Sequence, residues 1–297
     1  MDVREIGYVV AVADAGGFTA AAGDLFVSQP ALSQAVRKVE RELGVELFVR
    51  AGREVRLTAA GEAFVDRARP LLRDVEGLRG AVDAVAGLRT GHLDLVCLPT
   101  LSVEPMVDLV GAFRVAHPGV TVRLAEPEDV ADIEARIRTG RSEVAITEAP
   151  RSVTSDVVVH VLGEQEIAVV LPPGMRRRTR RVGVAELADV PLIATPVGTS
   201  TRRLVDDAFA AAGASPSIAV ETGHREAVVP LVLAGAGATF VAPAARRAAA
   251  AAGAATATLD PPLVRTVALL HRPPPLSPAA QAFVDLALAH SKLARSR

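Results

Sequence analysis

Between residues 28 and 38 the chain reads SQPALSQAVRK, and Ser28, Gln29, Ser33, Gln34, Arg37 and Lys38 recur there at the spacing of one helical face. These side-chain types match the edges of a DNA duplex. A glutamine amide pairs bidentately with adenine, and an arginine or lysine reaches guanine. Serine and threonine hydroxyls and backbone N–H groups hold phosphates and fix register. Leu32, Val36 and either Val39 or Leu43 repeat on the other face and need a core. An ordinary amphipathic helix with a solvated outer face would show the same pattern, so the neighbouring elements decide between the two readings.

Those elements form a compact reading head. Residues 18–37 read as helix, turn, helix: Thr19 is an N-cap candidate for the first helix, which buries Leu25, and Ser28 caps the second with Pro30 in its first turn. Residues 46–64, ELFVRAGREVRLTAAGEAF, read as two short strands around a turn at Gly52, which makes a wing. Arg50, Arg53 and Arg56 are placed there to meet phosphates, while Glu40, Glu42 and Glu46 are expected to face away from a duplex. Charge alone announces nothing: residues 1–58 hold seven Lys plus Arg against eight Asp plus Glu, and the whole chain sums to −1. Placement carries the case, and a moderate salt dependence follows from it.

Behind the wing, residues 59–88 read as one long helix. Phe64, Ala68, Leu71, Val75, Leu78, Val82 and Val85 alternate spacings of four and three, the seam of a coiled coil. Such a helix is about 45 Å long at ~1.5 Å per residue, more than a small winged domain can cover, so a second copy of the helix is the expected partner. The alternative is a linker packed on its own domain. Pro70 within the seam argues for a kink or a break.

From His92 onward short apolar strands alternate with helices. LDLVCLP, VTVRLAE and EVAITEA are strands of a first β-α-β unit, with a helix over 103–116 and another capped by Asp129 and stopped at Gly140. A second unit starts near Glu166, with strands IAVVLPP, PLIATP, SIAVE and ATFVAP and helices near 199–212 and 227–233. The last strand, TVALLHR, and a helix over 277–293 return to the first unit. Parallel strands with crossover helices form open sheets, which bind ligands at the carboxyl ends of their strands. Thr100 and Ser102 are expected to begin a helix of one lobe, and Thr199, Ser200 and Thr201 a helix of the other. Their free N–H groups and hydroxyls would converge on an anion. Arg202 is within reach of an acidic ligand, or lies on the outer face of its helix. Each hydroxyl could equally be a simple cap.

Other chemistry finds little support. There is no GxSxG, P-loop or HExxH motif, and the six histidines, His92, His117, His160, His224, His271 and His290, lack ligand spacing. No enzyme, metal or cofactor is expected. Cys97 is the only cysteine and reads as inert packing. No run approaches the ~20 uninterrupted apolar residues of a membrane helix, and MDVREIGYVV is no signal peptide, so a cytoplasmic protein that avoids membranes is expected. The basic run Arg176–Arg181 reads as a solvated loop, with an extra nucleic-acid or subunit contact as the alternative; the alanine-rich 244–255 reads as a helix with a loose end.

Residues 8–61, with GGFTAAAGDL, SQPALSQAVRKVERELGVELFVR and VRLTAAG, resemble the amino-terminal domain of LysR-type transcriptional regulators. Gly17 and Val27 depart from residues common there without removing a base-reading position. More weakly, LPTLSVEPMVDLVGAFRVAHPGVTVRL, VLAGAGATFVAP and LSPAAQAFVDLAL are similar to the effector domain of that family. The resemblance implies fold class α/β: an N-terminal winged helix-turn-helix plus long linker helix, then two Rossmann-like α/β lobes resembling a periplasmic-binding-protein fold. The expected boundaries are 1–58 for the DNA-binding domain, 59–90 for the linker and dimerisation helix with a hinge at 89–91, and 91–297 for the effector domain. Within the last, lobe I takes about 92–165 and 266–297, and lobe II about 166–265. The resemblance adds Thr147, Thr222, Gly223 and His224 to the effector cleft. The partners it implies are double-stranded promoter or operator DNA, a small-molecule effector, a second copy in a homodimer or homotetramer, and RNA polymerase if the protein activates. Two rivals are a cytoplasmic small-molecule-binding protein without specific DNA binding, whose 28–38 helix should have an apolar outer face, and an enzyme on the α/β unit, which would need a clustered acid, base or nucleophile.

Overall fold

The computed structural model describes residues 1–51, 54–85, 91–150, 152, 155–175 and 181–295. Gly52, Arg53, the hinge residues Arg89 and Thr90, and Arg176–Arg180 of the basic run lie outside the described residues, as does the side chain of Arg50.

The amino-terminal domain is built on three helices. α1 (Val3–Asp14) opens on a reciprocal capping box: the Glu5 N–H donates to Asp2, and the Asp2 N–H donates to the Glu5 carboxylate. α2 (Phe18–Asp24) begins two residues earlier than a cap at Thr19 allows. Gly17 is its N-cap, and Thr19 sits exposed in the first turn without a capping bond. Phe18 is drawn into the helix because its ring meets Phe48 edge-on, with centroids 5.7 Å apart. α3 (Gln29–Leu43) starts as its sequence dictates: the Ser28 hydroxyl accepts from the Ala31 N–H, and Pro30 occupies the first turn. It stops at Gly44, whose left-handed φ of 71° suits a residue without a Cβ. Leu32, Val36 and Val39 are buried against Val9, Val12, Ala21, Ala22, Leu47 and Val65, each contributing about 1.5–3 kcal/mol. Leu43 is 42% exposed, so Val39 is the core member of that pair.

β1 (Phe48–Ala51) and β2 (Glu54–Leu57) pair antiparallel as the wing. α4 (Ala59–Val85) follows, and a Cβ at Gly61 in its first turn would collide with the Leu47 carbonyl oxygen. Pro70 does not break α4. Phe64, Ala68 and Leu72 pack on Ile6 and Val10 of α1, and buried Arg69 forms an ion pair with Asp14. The start of the proposed seam therefore serves its own domain. Leu71 stays 45% exposed, and the side chains of Leu78, Val82 and Val85 lie outside the described residues.

The remaining elements are β3 (Gly91–Cys97), a 3-10 turn (Pro99–Leu101), α5 (Met106–Ala116), β4 (Val120–Ala125), α6 (Val130–Thr139), β5 (Val144–Glu148) and β6 (Val158–Leu171). They continue as β7 (Arg181–Val182), a 3-10 turn (Val184–Leu187), β8 (Leu192–Ala194), α7 (Ser200–Ala211), β9 (Ile218–Glu221) and α8 (Arg225–Leu233). β10 (Thr239–Val241), α9 (Pro243–Ala251), β11 (Ala255–His271) and α10 (Pro278–Arg295) complete the chain. The main sheet runs β10-β6-β11-β5-β3-β4, with β7 paired to β11; β8 and β9 form a separate parallel pair.

β3, β4 and β5 are parallel, as the alternation of strands and helices predicts. The winding is otherwise not all-parallel. β6 and β11 are long strands paired antiparallel with each other, and β11 is also antiparallel to β5. Each long strand serves two cores: Leu162 and Val267–Leu270 join the core of β3, β5, α5 and α10, whereas Ile167, Val169, Leu171, Ala257 and Leu259 join that of α7. One continuous strand pair thus links two lobes, and the sequence hides this because each half reads as a separate short apolar run.

Candidate DNA interface and interlobe cleft

α3 presents Gln29, Ser33 and Arg37 on one stripe and Pro30, Gln34 and Lys38 on the next, opposite its buried face. Gln34 and Arg37 are exposed, and Gln29 and Ser33 partly so. Lys38 is less free than its position suggests. It pairs with Glu5 at 2.6 Å, which holds the ammonium pKa above its ordinary value and the Glu5 carboxyl below its own. Glu40 faces inward and holds the wing in place. Its Oε1 accepts from the Leu47 N–H at 2.9 Å and the Phe48 N–H at 3.3 Å, tying the wing to α3. The sequence gives no warning of Phe26, which sits between α2 and α3 with φ 53° and is 97% exposed. A phenyl so placed beside Ser28 offers an apolar surface of the kind that meets a thymine methyl.

Beside the β6–β11 crossing lies a cavity of about 520 Å³. Thr100 and Ser102 line one wall, and Thr201 and Arg202 the other. Two details differ from expectation. Thr100 lies in the 3-10 turn and Ser102 just beyond it, and α5 starts only at Met106, after Pro105, so no α-helix amino-terminus opens at Thr100. The Ser102 hydroxyl donates to the Pro99 carbonyl within this turn. Arg202 is neutralised by Asp206 at 3.0 Å and Glu221 at 2.8 Å, on the inner side of its helix but already paired.

The other expected cleft residues spread out. Thr147 is buried but lines a separate pocket with Glu148 and Arg203. Ser200 donates to Glu148 at 2.6 Å, and Arg203 pairs with the same carboxylate, so Glu148 of β5 ties the amino-terminus of α7 to the first lobe. Thr199 bonds Thr195 and the Pro196 carbonyl. Thr222 accepts from the His224 N–H; of that trio only Gly223 lines the cavity, and the His224 side chain is exposed.

Sequence reasoning missed the cavity's two other cations. Arg265 of β11 is 3% exposed; its guanidinium donates to the Thr100 hydroxyl and to Gln165, both at 2.6 Å. Gln165 is the register partner of Arg265 on β6 and donates in turn to the Glu104 carbonyl at 3.0 Å. Arg225 opens α8 on the same cavity. A charged residue inside the run PPLVRTVALLH was the available signal for Arg265.

Among the described residues no group of three or more His, Cys, Asp or Glu is placed to hold a metal. Burial pushes the Cys97 thiol up to about 12, so it carries almost no thiolate at neutral pH. No single helix among the described residues is long and apolar enough to cross a membrane.

A winged reading head joined by a long helix to a two-lobed ligand-binding domain defines a class of ligand-responsive DNA-binding proteins. Residues 3–62 match the model of the bacterial regulatory helix-turn-helix protein, lysR family, and residues 86–292 that of the LysR substrate binding domain. The chain belongs to the LysR family, and it is a DNA-binding transcriptional regulator. It is 31% identical over 290 residues to the HTH-type transcriptional regulator IlvR of Caulobacter vibrioides, covering 96% of this chain and 97% of that protein. Against the HTH-type transcriptional regulator TfdT of Cupriavidus pinatubonensis it is 35% identical over 199 residues, 67% of this chain and 86% of that one. The structure of full-length CbnR complexed with its target DNA superposes with a TM-score of 0.66 at 25% identity, covering 98% of this chain and 100% of that one. A full-length OxyR variant from Pseudomonas aeruginosa reaches 0.77 at 24% identity, covering 99% and 95%, a likeness in fold.

Proposed function

We propose that α3 reads an operator in the major groove and that a small anionic effector bound between the lobes sets how two or four copies are arranged on it. Gln29 and Gln34 meet bases, Ser28, Pro30, Ser33 and Arg37 position the helix, and Thr19, Lys38, Arg50 and Arg53 contribute at the phosphate edge. The observation that carries this is the polar outer face of α3, set opposite a fully buried Leu32, Val36 and Val39. The rival binding protein without specific DNA recognition would expose an apolar face there.

The cleft lined by Thr100, Ser102, Thr201, Arg202 and Gly223 supports the effector reading. Ser200, Thr199, Thr222 and His224 lie outside its lining, and Thr147 belongs to the neighbouring pocket with Glu148 and Arg203. Closure by a ligand that prefers one lobe arrangement would shift the population of assembled states and so the spacing imposed on DNA. Pairing through α4 supplies a homodimer, with a tetramer through effector domains, and RNA polymerase is the further partner if the protein activates. The protein works in the cytoplasm without catalysis or cofactor. Gln29→Ala tests the reading: it should weaken operator binding over random DNA by about 1–3 kcal/mol if Gln29 makes a bidentate pair with a base. Equal losses on both DNAs would reject the assignment.

A further inference from the structure

Among the described residues, Arg265 is a buried cation without a counter-ion within 4.0 Å. Two of its five N–H groups are used by neutral partners, Thr100 and Gln165, and its Nε has no hydrogen-bond partner. Among the described residues no carboxylate lies within 4.0 Å of it. Glu148 is near enough to favour its charge, but the Glu148 carboxylate is held by Ser200 and Arg203. Arg225 is in a similar position on the facing wall: it makes no ion pair within 4.0 Å among the described residues, and only the more distant Glu126 offsets its burial. Desolvation pulls both guanidinium pKa values below their ordinary range. A guanidinium does not solve this by losing its proton, so each stands as an uncompensated charge that a bound anion would neutralise.

The rest of the cavity restricts that anion. Its wall is mainly apolar, from Ile167, Leu192, Val205, Val228, Val229 and Phe240, and about 520 Å³ is more than an inorganic ion fills. Glu126 and Glu226 also line it, and they disfavour a second negative charge. Resting on the effector-cleft reading above, we infer that the ligand is a small monocarboxylic acid with a compact hydrocarbon body, its carboxylate held by Arg265 and Arg225 and its body packed against the second lobe.

Arg265 and Gln165 face each other across the β6–β11 crossing, and Gln165 continues to the Glu104 carbonyl. A carboxylate on Arg265 thus connects α8 of the second lobe, through Arg225, to the crossing strands and to the 100–104 segment of the first.

Calorimetric titration of the full-length protein with a series of monocarboxylates, butanoate to octanoate and cyclohexanecarboxylate, tests this, with the matching amides and inorganic phosphate as controls. At least one acid should bind, its amide at least thirtyfold more weakly, and phosphate not measurably. Arg225→Gln, at a half-buried position, and Arg265→Lys, which keeps the charge but loses the fork, should each weaken that acid at least tenfold. Unliganded thermal midpoints within a few degrees of wild type are the control that both variants fold. Amides binding as well as acids would overturn the carboxylate assignment while leaving the cleft as the effector site. Acids that bind both variants at wild-type strength would overturn the arginine assignment. If no acid in the series binds, the proposed ligand class falls, whereas the DNA-reading assignment is judged separately by Gln29→Ala.

Discussion

The link from Glu40 to the wing makes the geometry of the reading head testable. Replacing Glu40 with Ala removes the acceptor of two backbone N–H groups, those of Leu47 and Phe48, and Leu47 is only 1% exposed. A hydrogen bond to a charged group contributes about 1.5–3 kcal/mol, but the longer bond is 3.3 Å and the site is partly open, so we take about 2 kcal/mol for the pair. The assay follows from composition: Tyr8 is the only tyrosine and the chain has no tryptophan, so intrinsic fluorescence reports the amino-terminal domain. Tyr8 packs against that core, and its hydroxyl accepts from Arg4 at 2.9 Å. With a urea slope of about 1 kcal/mol per M for a domain this small, the midpoint of the fluorescence transition should fall by about 2 M. Operator binding should fall with it, because the wing loses its anchor to α3. A midpoint within ~0.3 M of wild type would refute the claim that Glu40 fixes the wing.

Two other perturbations probe the ligand-binding domain. Glu148→Gln removes the charge that holds Ser200 and Arg203; the site is partly exposed, so about 1 kcal/mol is expected, read as roughly fivefold faster amide exchange at the start of α7, and unchanged exchange would show that the lobes are held elsewhere. His271 is buried, its Nδ1–H donates to the Arg272 carbonyl, and its Nε2 lies 2.9 Å from Nε2 of His160, which leaves room for one proton between the rings. Burial holds the His271 pKa below its ordinary value, so the unfolded chain takes up the proton first as pH falls. Its contribution is complete above about pH 6.5 and is lost on acidification below that value. Thermal midpoints measured between pH 7.5 and 5.5 should decline more steeply for wild type than for His271→Gln, and equal slopes would exclude His271 as the cause.

The reading head was legible because its signals are local. Ser28, Pro30 and Gly44 set the ends of α3, and a spacing of three and four exposes its outer face. Thr19 misled because a cap is chosen jointly with packing: Phe18 meets Phe48, thirty positions away in sequence, and that contact moves the helix start. The two lobes were legible as alternating strands and helices, but the long antiparallel pair β6 and β11 was not, since pairing partners up to about a hundred residues apart leave no local periodicity. The same limit hid Arg265 and Arg225. Thr147 was placed in the cleft by the family resemblance and Arg202 by its charge; the fold turns the first toward another pocket and gives the second two carboxylates.

The most direct test of a DNA-reading regulator is binding of the purified protein to the intergenic DNA beside its own gene, at two salt concentrations and against excess random DNA. Retention that survives the competitor and weakens with salt is the predicted result. Binding no different from that to random DNA, or none, would contradict the assignment of α3 as an operator-reading helix.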